Sequence, residues 1–385
     1  MPRLFQTALG LSLGLLVAAQ AQAGRTLTLT YSLGTSVTRD ANLFRLAPGV
    51  DPLAAIGSTE KGDTLTTTSL GLVAEKELGI QHLKLDMQLG NTRFSQFRRL
   101  DNDHYKLSAS WQWALARRLH GDLAFSRKTS LTGFDESPQT TRNINTTTTQ
   151  SCSAYLQVGP DWELFGVLGQ NNSANSAADR QAASYISRNT DTGLRHTTAG
   201  GHQLIVRKRQ VRSALVRQDD VEASATWTYS PLAQLSGGLG HSRRHAEGGT
   251  AADSQGSTGR LRIDWTPSPK TRFNLATRQE IAAAASNFST NTAIRGVSLG
   301  AGWMPTAKTS LQFSLDRSSN TYGNNPTATG TSREDRLRNA GLTLSYQPHH
   351  TLLLSLSLRE EARDSNVAAF TYRDRLATAT AQFAF

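Results

Sequence analysis

The sequence predicts an all-β protein: a transmembrane up-and-down antiparallel β-barrel of about 18 strands, with 16 strands as the alternative. Three observations predict this fold. Apolar and polar residues alternate along most of the chain, the connections between the alternating segments are short and long in turn, and the chain ends on Phe385. A polar overall composition agrees with a membrane barrel, because only alternate residues of each strand face lipid.

The alternation has a period of two, which is the side-chain period of a β-strand. In the segment 80–96, Leu83, Leu85, Met87 and Leu89 alternate with polar side chains. No comparable helical period occurs, apart from one possible helical turn at 51–57. The predicted strands are 25–37, 64–75, 80–96, 103–114, 119–131, 142–158, 161–171, 182–196, 202–212, 218–230, 233–245, 258–266, 270–281, 292–304, 307–317, 333–346, 350–363 and 370–385.

The connections divide into two kinds. Short turns such as 231–232 and 305–306 often contain proline, which stops a strand ladder. Longer polar stretches such as 171–179, 246–257 and 318–332 lie between them. Bacterial outer-membrane barrels have short periplasmic turns and long extracellular loops, whereas neither a secreted propeller nor a solenoid predicts this alternation.

Both ends of the chain agree with export to the outer membrane of a Gram-negative bacterium. Residues 1–23 combine Arg3, an apolar run from Ala8 to Ala19 and a small-x-small site at 21–23, which predicts a signal peptide. Residues 24–385 then form the barrel, with an extracellular first loop at 38–63. Phe383 and Phe385 predict the C-terminal insertion signal that the barrel assembly machinery recognises, so that machinery is an expected partner.

The net charge of +11 favours anionic partners. For an exported chain we expect outer-membrane lipid and lipopolysaccharide rather than nucleic acid. The run VRKRQVR places Arg207, Lys208, Arg209 and Arg212 near the extracellular rim, where they would pair with lipopolysaccharide phosphates or, alternatively, bind an exported polymer.

A second basic group is predicted to face the lumen. It comprises Arg260, Arg262, Arg272 and Arg278, which alternate with apolar residues of two predicted strands. Asp264 and Glu280 share their inward faces, so a charge network that stiffens the wall and a ligand-contacting track remain equal alternatives. Because the arginines outnumber the acids on these strands, a modest anion preference is predicted.

No catalytic group, metal or cofactor is predicted. The nine histidines are scattered, and no Ser-His-acid set, HExxH motif or paired Cys/His spacing occurs. Cys152 is the only cysteine, so no intrachain disulfide can form.

The stretch DANLFRLAPGVDPLAAIGSTEKGDTLTTTSLGL at 40–72 carries a family signature. It resembles the N-terminal region of outer-membrane proteins from exosortase (PEP-CTERM)-associated exopolysaccharide operons, the EpsL type, which are described as a porin-like barrel family. Asp40, Asn42, Leu43, Phe44, Arg45, Leu46 and the pair Asp63-Thr64 match its pattern. Ala41 stands where that family often has a second Asp, which argues against a two-carboxylate metal site. The similarity continues through 105–135.

The resemblance implies a role in exopolysaccharide secretion, with the polymer and periplasmic export proteins as partners. Our leading functional interpretation is therefore a barrel, working as a pore, in exopolysaccharide export. The alternatives are a general diffusion porin for small solutes and a membrane-embedded enzyme that modifies polysaccharide or lipid. The apolar residues of DANLFRL predict either a segment that folds into the barrel mouth and constricts the pore or a local hydrophobic knot on the rim.

Overall fold

The chain forms one closed β-barrel. The computed structural model describes residues 27–135, 140–247, 253–282, 291–323 and 332–385; the predicted signal peptide lies outside them. Each strand pairs antiparallel with its neighbours in the sequence, and the first strand also pairs with the last. The strands are β1 Leu27–Asp40, β2 Asp63–Leu78, β3 Gln81–Phe94, β4 Asn102–Ala116, β5 Leu119–Leu131, β6 Ile144–Gln157, β7 Trp162–Asn175, β8 Tyr185–Thr197, β9 Gln203–Ser213, β10 Val216–Ser230, β11 Ala233–Ala246, β12 Ser254–Ser268, β13 Thr271–Ala282, β14 Asn291–Thr306, β15 Thr309–Gly323, β16 Arg333–His349, β17 Leu352–Ser365 and β18 Tyr372–Ala384. The count of 18 confirms the first prediction over the alternative of 16.

The short helix predicted at 51–57 is also present. Helix α1, Pro52–Ile56, begins at Asp51, whose side chain accepts a hydrogen bond from the Leu53 backbone N–H at 3.0 Å. It ends at Gly57, whose φ of 72° is readily adopted only by a residue without a Cβ. Within the described residues, no helix is long and apolar enough to cross a membrane.

Alternation along each strand separates an outer and an inner face. On β12, the side chains of Leu261 and Ile263 lie on the exposed outer face, while Arg260 and Arg262 lie on the inner face. Their cross-strand partners keep this division, since Ile263 pairs with Leu275 and Leu235. The outer face is therefore an apolar band suited to lipid, and the inner face is polar.

The two ends of the outer face differ in chemistry. Large aromatic side chains lie close to the short turns: Trp162, Trp227, Tyr229, Trp265, Trp303, Tyr346, Phe383 and Phe385. Arginines lie on the outer face nearer the long connections: Arg39, Arg93, Arg127, Arg188, Arg212, Arg243, Arg295, Arg317, Arg336, Arg338, Arg373 and Arg375. An aromatic belt of this kind is expected at a membrane interface.

The first connection is shorter than predicted. Asp40 and Asp63 are Cα partners, so the β1–β2 ladder continues into the ends of the predicted loop 38–63 and leaves 41–62 as the connection. The β9–β10 connection is shorter still, with only Ala214 and Leu215 between the strands. Three short connections therefore follow one another from β8 to β11. Elsewhere between the strands given above, short and long connections alternate.

We expect the long connections to be extracellular. In a Cys152→Ser background, Asp179→Cys lies in the β7–β8 connection and Leu232→Cys lies in the short β10–β11 turn. A membrane-impermeant maleimide should label the first variant on intact cells and the second only after the outer membrane is permeabilised. The reverse pattern would invert the orientation of the barrel.

Candidate functional site: the barrel mouth and inner wall

The motif DANLFRL forms a compact turn directly after β1. Asn42 closes the turn, since its side chain donates to the Leu46 carbonyl at 3.0 Å and accepts from the Leu46 N–H at 2.9 Å. Its own backbone N–H donates to the Asp40 carboxylate at 2.9 Å. Arg45 has a φ of 55°, the left-handed conformation that non-glycine residues seldom adopt. A residue is held there only when its surroundings fix it, and the side-chain contacts of Arg45 supply that constraint.

Arg45 joins the loop to the inner wall through three carboxylates. It lies 3.0 Å from Asp40, 2.9 Å from Asp374 and 3.4 Å from Glu361. Asp374 and Glu361 are direct cross-strand partners on β18 and β17, an arrangement of like charges that is unfavourable without a cation. Burial lowers the pKa of Arg45, but Asp40 and Asp374 outweigh that effect and raise it. The guanidinium therefore stays charged and offsets part of the negative charge of the three acids.

A hydrophobic cluster forms beside this ion network. Phe44 is 1% exposed, and its ring lies 4.9 Å from that of Phe97 and 4.6 Å from that of Phe134. The buried members are Leu43, Phe44, Leu46, Ile56, Phe94, Phe97, Leu100 and Phe134. They come from the first three long connections and the end of β3. Since Phe94 is paired with Leu65 on the inner face, the cluster lies against the inside of the wall.

A second ion cluster links the connection after β5 to strands β16 and β17. Asp335 on β16 is fully buried and contacts Arg333 and Arg363, the latter at 3.7 Å. Arg363 also donates to the backbone carbonyl of Asp135 at 2.5 Å, which anchors the connection after β5 to β17. Arg333 is stacked on Phe370, with its guanidinium carbon 3.5 Å from the ring centroid. Sequence reasoning did not find these residues, although their alternation on β16 and β17 places them on the inner face.

DANLFRL therefore combines features of both sequence interpretations. Its apolar side chains pack into a local hydrophobic cluster, as predicted for a knot on the rim. Its contacts are with inward-facing groups at the mouth, as expected of a segment folded into the barrel mouth. Its effect on the width of the ion path stays a prediction, tested by the loop deletion in the Discussion.

The four predicted lumenal arginines do lie on the inner face, opposite their lipid-facing neighbours. Arg260 pairs with Glu222 at 2.5 Å, and Arg262 pairs with Asp264 through two bonds of 2.6 Å. Arg278 lies 3.6 Å from Glu280 and 3.8 Å from Asp316. Arg272 has no carboxylate partner among the described residues.

Other charges of the inner wall are paired as well. Lys84 lies 2.6 Å from Glu75, Lys106 lies 2.8 Å from Asp86, and Arg195 lies 2.9 Å from Glu163. The inner face is thus a network of neighbouring opposite charges. This arrangement favours the predicted charge network over a continuous positive track.

The predicted basic rim 207–212 needs a correction, because the pleat of β9 divides it. Lys208 and Arg212 face outward with Val206, whereas Arg207 and Arg209 face inward. Arg207 pairs with Glu222 at 2.7 Å and Arg209 approaches Asp191 at 3.6 Å. Only the outward pair can meet lipopolysaccharide from this strand.

The two C-terminal phenylalanines lie at the closing seam. The backbone N–H of Phe385 donates to the Tyr31 carbonyl at 2.9 Å, and the Tyr31 N–H donates to the Phe385 carbonyl at 2.7 Å. The rings of Tyr31 and Phe385 stack with their centroids 5.9 Å apart. The Phe383 side chain is exposed on the outer face. Recognition of these residues by assembly machinery stays a prediction.

No metal or cofactor site stands out in the described part of the chain. No group of three or more His, Cys, Asp or Glu side chains is placed there to hold a metal ion. The acids at the mouth instead contact arginines or backbone N–H groups, as when Asp63 accepts from the N–H groups of Gln96 and Phe97 at 3.0 and 2.9 Å.

The geometry defines a closed 18-stranded antiparallel β-barrel with an apolar outer face and a charged inner face. Its fold is similar to OpdK of Pseudomonas aeruginosa with vanillate, at a TM-score of 0.55 and 9% identity, covering 93% of this chain and 99% of that one. It is also similar to P. aeruginosa OccK2 (OpdF) in complex with glucuronate, at 0.54 and 13%, covering 93% and 98%. A BenF-like porin from Pseudomonas fluorescens Pf-5 gives 0.54 and 10%, covering 93% and 99%.

These likenesses confirm the fold and agree with the predicted outer-membrane location. No family model matches the sequence, and no curated protein matches it either. The resemblance to the EpsL-type family therefore has no support from these comparisons, whereas the broader prediction of a porin-like barrel does.

Proposed function

We propose that this protein is an outer-membrane channel for small polar solutes. The closed 18-stranded barrel with a polar, charged inner face carries the proposal. A barrel of this strand number is too wide for its wall side chains to fill, so water can occupy the space that the loops leave. The lipid-facing band and the aromatic belt place the same barrel across a membrane.

The structural likenesses favour small solutes over a polymer. All three are to barrels described as porins or solved with a small carboxylate, vanillate or glucuronate. Exopolysaccharide export depends only on the family resemblance of residues 40–72 and 105–135. The diffusion porin, our alternative from the sequence, is therefore the better-supported function.

Liposome swelling tests this function directly. Proteoliposomes should swell in isosmotic arabinose, glucose and glucuronate, at rates that fall with solute size, and should not swell in a large dextran. Liposomes without protein and liposomes with heat-denatured protein serve as controls. Absence of swelling in every small solute would overturn the proposal, and the export role would then be examined by deleting the gene and measuring surface polysaccharide.

A further inference from the structure

A patch of arginines on the outer face of β14–β16 has a local charge that the protein does not balance. Arg295, Arg317 and Arg336 are exposed there, and none forms an ion pair with a carboxylate of the described residues, although Arg336 is the cross-strand partner of Asp364. The neighbouring Arg338 lies 3.4 Å from Asp364. We call Arg295, Arg317 and Arg336, together with Arg338, the outer arginine patch.

The strand register brings these side chains together. Arg317 and Arg338 are direct cross-strand partners. Ser319 is the partner of both Arg295 and Arg336, so Arg317, two residues away on the same face, lies diagonal to each of them. Diagonal neighbours are about 7–8 Å apart, within reach of long side chains. All four guanidinium groups can therefore approach one bound group.

Like charges placed directly opposite each other destabilise a sheet. Asp364 and the outward-facing Glu334 offset part of the charge, but the four arginines still outnumber these two acids. An anion held between the arginines would remove the repulsion. Planar guanidinium groups bind phosphate through paired hydrogen bonds, which makes phosphate the anion that this patch fits best.

The surroundings of the patch are apolar. Val297, Leu299 and Leu315 continue the same outer faces toward the centre of the lipid band and are 51%, 39% and 42% exposed. A groove of about 590 Å³ runs beside the patch. Its lining includes Leu239, Leu261, Val297 and the arginines 295, 317 and 336, and it also reaches the inward-facing Arg260 and Arg278. A ligand that fills this site needs a phosphate at one end and hydrocarbon at the other.

We propose that the outer arginine patch binds the phosphorylated headgroup of an outer-leaflet glycolipid, with its acyl chains along the apolar rows of β12–β15. The patch lies toward the long connections, which are extracellular in bacterial barrels, and so meets the leaflet that contains this lipid. The site is distinct from the ion path, because its side chains lie on the opposite face of the strands from Arg278 and Asp316.

Binding of purified protein to bisphosphorylated lipid A tests the proposal. The variant Arg295→Gln/Arg317→Gln/Arg336→Gln should bind at least about tenfold more weakly, since losing one charge-assisted hydrogen bond already has that effect. The control variant Arg127→Gln/Arg188→Gln/Arg243→Gln loses the same charge from scattered outer positions and should bind nearly as the parent does. Heat-modifiable migration in gels verifies that each variant is folded.

Two further ligands test whether the patch binds a lipid headgroup or a soluble phosphate. Lipid A without phosphates should bind parent and patch variant equally weakly, and glucosamine 1-phosphate, which has no acyl chains, should not displace lipid A. Equal losses in the patch and control variants would overturn the site. Displacement by the soluble phosphate would also overturn it, because the arginines would then serve a soluble anion.

Discussion

Replacing the first connection with a two-residue turn should raise single-channel conductance severalfold. Asp40 and Asp63 are cross-strand partners, so Asn-Gly can join them in place of 41–62 without disturbing the ladder. In the parent protein, Phe44 and Arg45 of this connection contact groups on the inner face of the wall. Its removal should therefore widen the mouth on that side, and planar-bilayer recording measures the change in conductance.

The substitution Phe44→Ala separates packing from chain length. It removes a ring that is 1% exposed, and such changes cost about 3–5 kcal/mol in a packed cluster. The loop should then open locally, and the current should fluctuate rather than rise uniformly. The control Leu53→Ala alters an exposed side chain of the same connection and should leave the current unchanged.

Unchanged conductance after the deletion would show that the connection does not limit the current. A barrel that stays closed without it would contradict the proposed channel function altogether.

The sequence predicted the position of every strand but misplaced several strand ends. β7 continues to Asn175 and β15 to Gly323, beyond the predicted ends at 171 and 317. These extensions are polar, and the apolar pattern reports only the part of a strand that faces lipid. Above the membrane the ladder is stabilised by polar pairs, as where Asn145 donates to Asn175 at 3.0 Å.

The two-residue period of a β-strand predicts whether each side chain points toward the lumen or toward lipid. It placed Arg260 and Arg278 inward correctly. The run 207–212 was instead interpreted as a single cluster, although neighbouring residues of a strand point in opposite directions. Applying the same period there would have separated Arg207 and Arg209 from Lys208 and Arg212.

Contacts between distant parts of the chain were beyond reach of the sequence. Arg45 meets Asp374 only because β1 closes against β18, and the register of that seam aligns Asp40 with Leu376. The contact of Arg363 with Asp135 likewise depends on how a connection crosses the mouth. Local patterns determine strands and faces, whereas such contacts follow from closure and register.

Replacing the inward arginines 260, 262, 272 and 278 with glutamine should make the channel strongly cation-selective. In the parent, Arg262 neutralises Asp264, and Arg278 lies near Glu280 and Asp316. We therefore expect weaker anion preference in the parent than the arginines alone predict. The substitutions leave those carboxylates uncompensated, and a negative wall attracts cations by focusing potential in the lumen.

The measurement is the reversal potential across a salt gradient. Its shift should be large near 0.1 M salt and small near 1 M, because the screening length falls from about 10 Å to about 3 Å. The control changes Arg39, Arg127, Arg188 and Arg243 to glutamine, which removes the same charge from the outer face and should leave selectivity unaltered. If the inward variant kept the parent's selectivity, its arginines would lie outside the ion path. If both variants shifted equally, the total charge of the protein rather than the paired inner wall would control which ions enter.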